Sequence, residues 1–382
     1  MTKKQTMSPS FLGNLKCNTL HLKAKYKTMN YQIAVIKGDG IGPEIVTEAM
    51  KVLDAVGNKF GHKFSFTEAL MGACAIDETG NPLPDETLAI CKKSDAILFG
   101  SIGHPKYDND PNAKVRPEQG LLKLRKELGL YANIRPVAYY PALEAFSPLK
   151  TERIEGADFV VVRELTGGIY FGEKGRSEDG TSAYDHCTYS ISEIERIAIV
   201  GFDLAMKRRK KLTLVDKANV LETSRLWRDT VKKVAAQYPE VELDFLFVDN
   251  AAMQMILAPT QFDVILTENM FGDIISDEGS VIGGSIGLLP SASTGDSVGL
   301  YEPIHGSYPQ GAGKNIANPM ATILSAAMLL ESSLNLVKEA NIVRKAVAQA
   351  IENNVATEDL NKTNPVGTND IGDYIVQVIN NN

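Results

Sequence analysis

Hydrophobic and polar positions follow two alternating patterns along the chain, and each pattern predicts one kind of element. Ile45, Ala49, Val52 and Val56, which follow Pro43, recur at helical spacing and predict an amphipathic helix. Short runs of β-branched and other apolar residues predict strands at Gln32–Ile36, Ala96–Phe99, Phe159–Val162, Leu212–Val215, Phe245–Val248 and Val264–Thr267. The alternation of strands and helices predicts an α/β protein whose sheet is largely covered.

Residues that interrupt regular structure suggest where the chain passes between domains. Gly, Pro and Ser cluster at 141–148 and 283–296, and a length of 382 residues fits two domains. We therefore expect residues 30–131 and 284–382 to form one discontinuous domain and residues 132–283 to form the other.

Charge is divided unevenly between a basic leader and an acidic remainder. Residues 1–29 carry six lysines and no acidic residue, and we expect them to form a disordered leader outside the fold. The rest of the chain has 34 basic and 47 acidic residues, which repels phosphate backbones, so we expect no nucleic-acid partner. The longest apolar stretch, Ala321–Leu330, is too short to span a bilayer, so we expect no membrane partner either.

The cysteines and the leader together indicate a compartment. The four cysteines form no CxxC pair and have no histidines at metal-binding spacing, which argues against a zinc site and a disulfide framework. The leader lacks the apolar core of a signal peptide. We therefore expect a reduced, cytoplasmic protein.

The first group of residues that could have a chemical function is acidic. Asp273 and Asp277 lie four residues apart, on one face of a helix, where two like charges repel each other. A hard divalent cation such as Mg²⁺ or Mn²⁺ would explain the pair, and Asp249, at the end of a predicted strand, could complete the ligand set. The alternative is a solvated acidic face.

The second group is cationic and consists of Arg125, Arg135 and Arg163. Arg163 directly follows the apolar run Phe159–Val162, so it stands at the carboxyl end of a buried strand, where α/β proteins bind ligands. The planar guanidinium binds carboxylates with two hydrogen bonds, and three arginines suggest a substrate with more than one carboxylate. The alternative is three independent surface ion pairs.

Two further features could take part in catalysis or in binding a ligand, but each has a structural explanation as well. Tyr170 and Lys217 lie in segments rich in Gly and Asp, and both side chains titrate near pH 10 unless they are perturbed. The glycine-rich turn Gly38–Pro43 and the segment His305–Asn318 could hold a nucleotide. The turn lacks the third glycine of the dinucleotide fingerprint, so its signal is weak.

Seven motifs occur in one order over about 350 residues: GDGIGPEI, VRPEQGLLKLRKELGLYANIRP, VVRELTGGIYFGE, VDKANVL, FVDNAAM, ENMFGDIISDEGS and EPIHGSYPQGAGKNIANP. In sequence and order they resemble the metal-dependent β-decarboxylating dehydrogenases of the isocitrate/isopropylmalate dehydrogenase family. The resemblance implies a two-domain, non-Rossmann α/β subunit that uses NAD. It also implies a homodimer whose active site lies in the interdomain cleft and takes residues from both subunits. The first domain would then be the cofactor side, and the second the dimerisation and metal side.

The resemblance also implies roles for individual residues. The carboxylates of a substituted malate would be bound by Arg125, Arg135 and Arg163. Mg²⁺ or Mn²⁺ would be bound by Asp249, which would also contact the substrate, and by Asp273 and Asp277. Lys217 would take the hydroxyl proton, and Tyr170 would protonate the carbon that loses CO₂, its phenolate form being favoured by nearby cations.

The cofactor would lie against Glu118 on its nicotinamide side, as the resemblance implies. The adenosine half would be held by His305, Gly306, Ser307, Gln310, Gly313 and Asn318. Most NAD-using members of the family carry an acidic residue where this chain has Gln310, and that acidic residue repels the 2′-phosphate of NADP. We therefore expect NAD to be preferred here, with weaker discrimination.

The substituent on the malate distinguishes members of this family. Leu121 and Leu122, one turn before Arg125, and Val220, after Lys217, match apolar contacts for an isopropyl group, among which a charged substituent would be buried unpaired. We therefore expect NAD-dependent oxidative decarboxylation of 3-isopropylmalate to 2-oxo-4-methylpentanoate, a reaction of leucine biosynthesis. The alternatives are a sister enzyme acting on isocitrate, homoisocitrate or tartrate/malate, and a non-catalytic binding protein on the same scaffold.

Overall fold

The computed structural model describes residues 29–110 and 113–381, and residues 1–28 of the predicted leader lie outside them. The strands are β1 Asn30–Gly38, β2 Lys63–Glu68, β3 Ala96–Ser101, β4 Ala132–Ala138, β5 Asp158–Glu164, β6 Lys174–Arg176, β7 Ala183–Asp185, β8 Lys211–Asp216, β9 Glu242–Phe247, β10 Val264–Thr267, β11 Pro290–Thr294 and β12 Gly299–Pro303. The helices are α1 Gly42–Phe60, α2 Ala73–Thr79, α3 Asp85–Lys93, α4 Pro105–Asp108, α5 Pro117–Glu127, α6 Thr151–Ile154, α7 Ile191–Met206, α8 Glu222–Ala235, α9 Val248–Leu257, α10 Asn269–Ser280, α11 Met320–Ser332, α12 Val337–Glu352 and α13 Thr368–Asn381.

Ten strands form one sheet in the order β2-β1-β3-β12-β11-β4-β5-β10-β8-β9. The four strands at each end are parallel to one another, and the two blocks run in opposite directions because β11 and β4 pair antiparallel between them. All six predicted strands are found in the two parallel blocks, although β9 ends at Phe247 and Val248 begins α9. The prediction missed β2, β4, β11 and β12 of this sheet, and the short strands β6 and β7. In β11 and β4, with the sequences PSAST and ANIRPVA, small and polar residues interrupt the apolar pattern.

Helices cover the sheet and bury its apolar residues. α1, α11, α12 and α13 pack over the block that contains β1 and β3, whereas α7 and α8 pack over the block that contains β5 and β8. The apolar run Ala321–Leu330 lies in α11, where every residue from Met320 to Leu330 is buried. Among the described residues, no helix combines the length and apolar composition that a bilayer crossing requires.

The division into two domains stays a prediction. Two of the four apolar clusters are confined almost entirely to residues 132–283, but Leu143 and Leu289 pack across the predicted boundaries. The pairing of β11 with β4 also continues one sheet through both parts.

Candidate active site

Three buried arginines meet on one face of the sheet. The antiparallel register pairs Arg163 of β5 with Asn133 of β4, so Arg135 is the diagonal neighbour of Arg163 on the same face. Arg125 joins them from the last turn of α5. Burial lowers the pKa of Arg163, and the positive charges of Arg135 and Arg125 lower it further. The structure thus brings the three predicted arginines together, and they are not independent surface ion pairs.

One face of α10 presents two carboxylates to these arginines, as the spacing of Asp273 and Asp277 predicts. Asp273 accepts a hydrogen bond from Arg163 and lies 3.6 Å from Nη1 of Arg135, and Asp277 lies 3.4 Å from the same nitrogen. Arg135 therefore offsets much of the repulsion between Asp273 and Asp277, the repulsion for which the sequence alone suggests a bound cation. Burial raises the pKa of Asp273, but Arg163 and Arg135 outweigh it and lower the pKa below its usual value. Asp277 differs, because burial raises its pKa and Arg135 only partly offsets that effect.

Tyr170 completes this group from the end of a short 3₁₀ helix, Gly168–Tyr170, that follows β5. Its hydroxyl donates to Oδ2 of Asp273 at 3.0 Å, and the guanidinium of Arg163 lies 5.7 Å from its ring centroid. The expectation that nearby cations make the phenolate the favoured form of Tyr170 is wrong for this arrangement, although Arg163 acts in that direction. Burial raises the pKa of Tyr170, and the Asp273 carboxylate raises it further, whereas Arg163 opposes both effects without cancelling them.

Each arginine also has a partner that the sequence reasoning missed. Arg125 donates to Glu302 at 2.8 Å. The Nε of Arg135 donates to the amide oxygen of Asn133 at 2.7 Å, and the Nε of Arg163 donates to that of Asn269 at 3.0 Å. Position on the same face was an available signal, since Asn133 lies two residues before Arg135 on a strand and Asn269 lies four before Asp273 on a helix.

Lys217 and Asp249 form a separate pair. Lys217 follows β8, Asp249 lies in the first turn of α9 after the adjacent strand β9, and their Nζ and Oδ1 atoms are 2.7 Å apart. Hydrogen bonding to Lys217 lowers the pKa of Asp249. Within the described residues of one chain, no three acidic, histidine or cysteine side chains lie close enough to hold a metal ion. One chain therefore does not bring the predicted ligand Asp249 to Asp273 and Asp277.

The three aspartates nevertheless have the chemistry of a Mg²⁺ or Mn²⁺ site. All are carboxylates, the oxygen ligands that hard cations prefer, and their side chains are accessible: 37% exposed for Asp273, 55% for Asp277 and 68% for Asp249. The donor set fits a divalent cation provided that Asp249 comes from a second chain.

The apolar residues expected around the substrate also fall into two groups, one near the arginines and one near Lys217 and Asp249. Leu121 and Leu122 are half-buried on α5 near Arg125, although Leu121 packs against an apolar core cluster and so has a structural role as well. Val220 is 61% exposed beyond Lys217, on the side of the separate pair. The structure therefore makes Leu122 the better candidate for contact with a substrate bound to the arginines of its own chain.

Part of the predicted cofactor loop lines a cavity of about 590 Å³. His305, Gly306 and Asn318 line it, together with Asp359, which accepts a hydrogen bond from the Asn318 amide at 3.1 Å. Burial lowers the pKa of His305, and its Nε2 atom has no hydrogen-bond partner among the described residues. Asp359 and its neighbour Glu358, which the sequence reasoning missed, make the rim of this cavity acidic.

The other predicted cofactor residues lie beside this cavity. Ser307 is buried, and its hydroxyl donates to the carbonyl of Gly103 at 2.7 Å, so it fixes the loop. The Glu118 carboxylate lies next to Gly103 at the start of α5. Gln310 and Gly313 are exposed and do not contribute to the cavity lining. Their contact with a cofactor stays a prediction.

Packing accounts for the glycine-rich turn Gly38–Pro43. Gly40 has a φ of +59°, and a Cβ atom there would lie 1.9 Å from the carbonyl oxygen of Ser307. Asp39 is buried and accepts hydrogen bonds from three backbone amides, of Ala73, Cys74 and Gly103. The turn therefore joins three loops, and it contributes to the cavity only through Ile41.

A larger cavity, of about 880 Å³, lies on the opposite face of the sheet from the arginines. Ile134 and Pro136 of β4 line it, and they alternate with Arg135 along the strand. Its charged residues include Asp158 and Arg208, which pair with each other. Size alone therefore does not identify the reactive site in this fold.

Comparison with known proteins assigns the chain to a family of dehydrogenases. Residues 32–375 match the isocitrate/isopropylmalate dehydrogenase family, and the chain belongs to that family. Within the family, it is 57% identical over 353 residues to 3-isopropylmalate dehydrogenase of Bacteroides fragilis, covering 92% of this chain and 99% of that one. It is 56% identical to 3-isopropylmalate dehydrogenase of Clostridium acetobutylicum, covering 91% and 98% of the two chains.

Solved structures support the same fold. Isocitrate dehydrogenase from Methylococcus capsulatus matches with a TM-score of 0.83 and 34% identity over 92% of this chain and 99% of that one. A beta-decarboxylating dehydrogenase from Thermococcus kodakarensis, in its apo form, matches with a TM-score of 0.76 and 36% identity over 92% and 96% of the two chains. The expected fold class is thereby confirmed.

The two carboxylates on α10 should contribute to stability with opposite sign. The lowered pKa of Asp273 means that its charge stabilises the folded state above the unfolded pKa, and that this contribution is lost as pH falls through the folded pKa. Asp273→Asn should therefore lower the free energy of unfolding near pH 7, with a deficit that shrinks toward about pH 3. Urea unfolding in EDTA at both pH values measures it.

Asp277→Asn is the matched control, because it makes the same chemical change one helical turn away. The raised pKa of Asp277 means that its charge opposes folding at neutral pH, so this variant should be neutral or more stable there. Equal losses in both variants at neutral pH would contradict the assignment.

Proposed function

We propose that the protein oxidises and decarboxylates 3-isopropylmalate to 2-oxo-4-methylpentanoate with NAD, in leucine biosynthesis. The observation that carries the proposal is the cluster of three buried arginines beside Asp273, Asp277 and Tyr170. A substrate with two carboxylates and a hydroxyl suits such a group, because guanidinium groups bind the carboxylates and hard cations bind hydroxyl and carboxylate oxygens. The relatives named above add support for this substrate over isocitrate.

The charges of the site explain why substrate and cation would enter together. Three guanidinium groups, of Arg125, Arg135 and Arg163, face three carboxylates, of Glu302, Asp273 and Asp277. The cluster is therefore close to neutral by itself. A dianionic substrate that arrives with a divalent cation preserves this balance, whereas either partner alone leaves an excess charge in a largely buried site.

When bound, NAD supplies the hydride acceptor, and Mg²⁺ or Mn²⁺ supplies the positive charge that acidifies the substrate hydroxyl. Lys217, as the neutral amine, is assigned to receive the hydroxyl proton and become the ammonium form, and Asp249 positions its side chain. Tyr170 is assigned to protonate the carbon from which CO₂ departs. The raised pKa of Tyr170 suits this step, because the phenol keeps at neutral pH the proton that it must donate.

A homodimer would unite the two separate groups of catalytic residues. α9 and α10 pack together, and they leave Met253, Ile256, Leu257 and Ile274 between 43% and 59% exposed, an apolar face that a second copy could cover. The hairpin formed by β6 and β7 supports the same conclusion, because an isolated two-stranded sheet is marginally stable in water and both strands are mostly exposed. The proposed site combines Arg163, Asp273 and Tyr170 of one subunit with Lys217 and Asp249 of the other.

The cavity lined by His305 and Asn318 is proposed to hold the adenosine half of NAD. Its acidic residues Glu358 and Asp359 disfavour the additional phosphate of NADP. They could supply the repulsion that Gln310 does not. The cytoplasmic location stays a prediction.

An assay of NAD reduction in the presence of Mg²⁺ tests the activity. The wild-type chain should reduce NAD with 3-isopropylmalate much faster than with isocitrate, homoisocitrate or malate. Leu122→Ala should weaken isopropylmalate binding by about 1–3 kcal/mol and malate binding much less, since malate has no alkyl group to bury. A preference for isocitrate in the wild-type enzyme would refute the assignment of substrate.

Mixed dimers test whether the active site is shared. Tyr170→Phe and Lys217→Met should each be nearly inactive alone, because each removes one proton-transfer group from both sites. In an equal mixture after subunit exchange, half of the dimers would be mixed, each with one intact site, so activity should return to about a quarter of the wild-type value. Steady-state turnover of the mixture measures the recovery.

The control for this experiment is a mixture of Tyr170→Phe with Asp273→Asn, whose altered residues belong to the same group. Mixed dimers of these variants have a damaged residue in every site, so activity should not return. Recovery in the control, or none in the test mixture, would contradict the shared site.

Cofactor selectivity can be localised with two substitutions of similar size. If Glu358 repels the 2′-phosphate of NADP, Glu358→Gln should lower the Kd for NADP and leave that for NAD almost unchanged. Gln310→Asp should worsen NADP binding more than NAD binding if Gln310 also faces the ribose. Fluorescence titration with each cofactor measures both, and an unaltered ratio in both variants would place selectivity elsewhere.

A further inference from the structure

Asn133 and Asn269 hold two of the three arginines in the same way. Each side chain is fully buried, and each amide oxygen accepts a hydrogen bond from the Nε of a neighbouring arginine, at 2.7 Å for Arg135 and at 3.0 Å for Arg163. Asn269 also accepts from Nη2 of Arg163 at 2.8 Å. Because arginine can only donate, the amide oxygen must face the guanidinium in both pairs.

The amide nitrogens of the two asparagines are also engaged, so neither side chain is free to turn. Asn133 donates to the hydroxyls of Ser291 at 2.8 Å and Ser293 at 3.1 Å on β11. Asn269 donates to the carbonyl of Gly167 at 3.1 Å, in the turn that leads to Tyr170. Each amide thereby fixes an arginine relative to a neighbouring part of the backbone.

Contacts within the chain leave part of the Arg163 guanidinium available. Asn269 takes Nε and one Nη2 hydrogen, and Asp273 takes one Nη1 hydrogen. A guanidinium has five N–H bonds, so one N–H bond remains on each terminal nitrogen for a bound anion. α10 also packs directly against this side chain, since a Cβ atom on Gly272 would lie 2.6 Å from Cγ of Arg163.

We propose that Asn133 and Asn269 are positioning residues that orient Arg135 and Arg163 for an anionic substrate while adding no charge to the site. This inference rests on the proposed function. An aspartate in either place could accept the same hydrogen bond from Nε. It would also bring a fourth carboxylate to three arginines that already face Glu302, Asp273 and Asp277. The site would then be net negative and would repel the substrate.

Asn133→Asp is the sharper test, because its environment can accept the change. A carboxylate at position 133 would face the carbonyl of Ala292 at about 3.4 Å, but the hydroxyls of Ser291 and Ser293 can rotate and donate to it. At position 269 a carboxylate would face the carbonyl of Gly167, to which the amide nitrogen donates at 3.1 Å. The variant should therefore fold, with a Tm equal to or above that of the wild-type chain, since the new charge pairs with Arg135. Substrate affinity should fall by at least about tenfold, with kcat and the KM for NAD changing less.

A purely structural asparagine would behave differently, because its loss would lower Tm and substrate affinity together. The matched control is Asn341→Asp, which adds the same charge to an exposed asparagine that accepts a hydrogen bond from Arg344 on α12. It should leave Tm, KM and kcat unchanged. Asn269→Asp should reduce substrate affinity as well, with some loss of Tm because its bond to Gly167 is removed.

Calorimetric titration with two anions separates this inference from the proposed function. The probes are 3-isopropylmalate with Mg²⁺, and inorganic sulfate, which tests the arginine cluster whatever the substrate is. Weaker binding of both anions to Asn133→Asp, at an unreduced Tm, supports the inference. If the wild-type chain binds sulfate but not isopropylmalate, the proposed substrate is wrong, and sulfate binding to the variant still decides the inference. Wild-type affinity for both anions in Asn133→Asp overturns the inference alone, and a wild-type chain that binds neither anion overturns both.

Discussion

The burial of three guanidinium groups side by side is the constraint on which the rest of the site depends. Removing charges from water is costly, and like charges in close proximity add to that cost. Hydrogen-bond partners from three separate parts of the chain offset this cost. Glu302 pairs with Arg125, residues of α10 contact both other arginines, and Asn133 of β4 accepts a hydrogen bond from Arg135. The middle of the sheet must accordingly bring β4, β5 and β12 to fixed positions under one helix.

This requirement explains why the strand direction reverses in the centre of the sheet. β11 and β4 are antiparallel strands between two parallel blocks, and they contain Asn133, Ser291 and Ser293, which are buried and polar. A uniformly apolar strand could not supply hydrogen bonds to Arg135 at this place. The composition that makes these strands unlike ordinary core strands is therefore the composition that the arginine cluster needs.

The same composition sets a limit to what the sequence predicts. Apolar runs identify six of the eight strands of the parallel blocks, whereas PSAST and ANIRPVA carry no such signal because their hydrogen-bonding residues serve the site. The spacing of Asp273 and Asp277 correctly predicts a shared helix face, and the apolar run before Arg163 correctly places that residue near the carboxyl end of a buried strand, β5. The sequence does not reveal that Lys217 and Asp249 lie apart from Asp273, because spacing along a chain does not give the distance between elements that are far apart in the sequence. The pKa of Tyr170 also depends on the direct contact with Asp273, which only coordinates show.

Helix α10 has an evolutionary consequence that follows from its regularity. Asn269, Gly272, Asp273, Ser276 and Asp277 all face the arginines, so five positions of one helix match side chains on neighbouring strands. Inserting or deleting a single residue would turn everything beyond it by about 100° and shift it by about 1.5 Å, which would misplace the later contacts together. Descendants of this gene can therefore exchange side chains within α10 one at a time, but they cannot change its length and keep the site, so alignments of the family should contain no gap between positions 269 and 277.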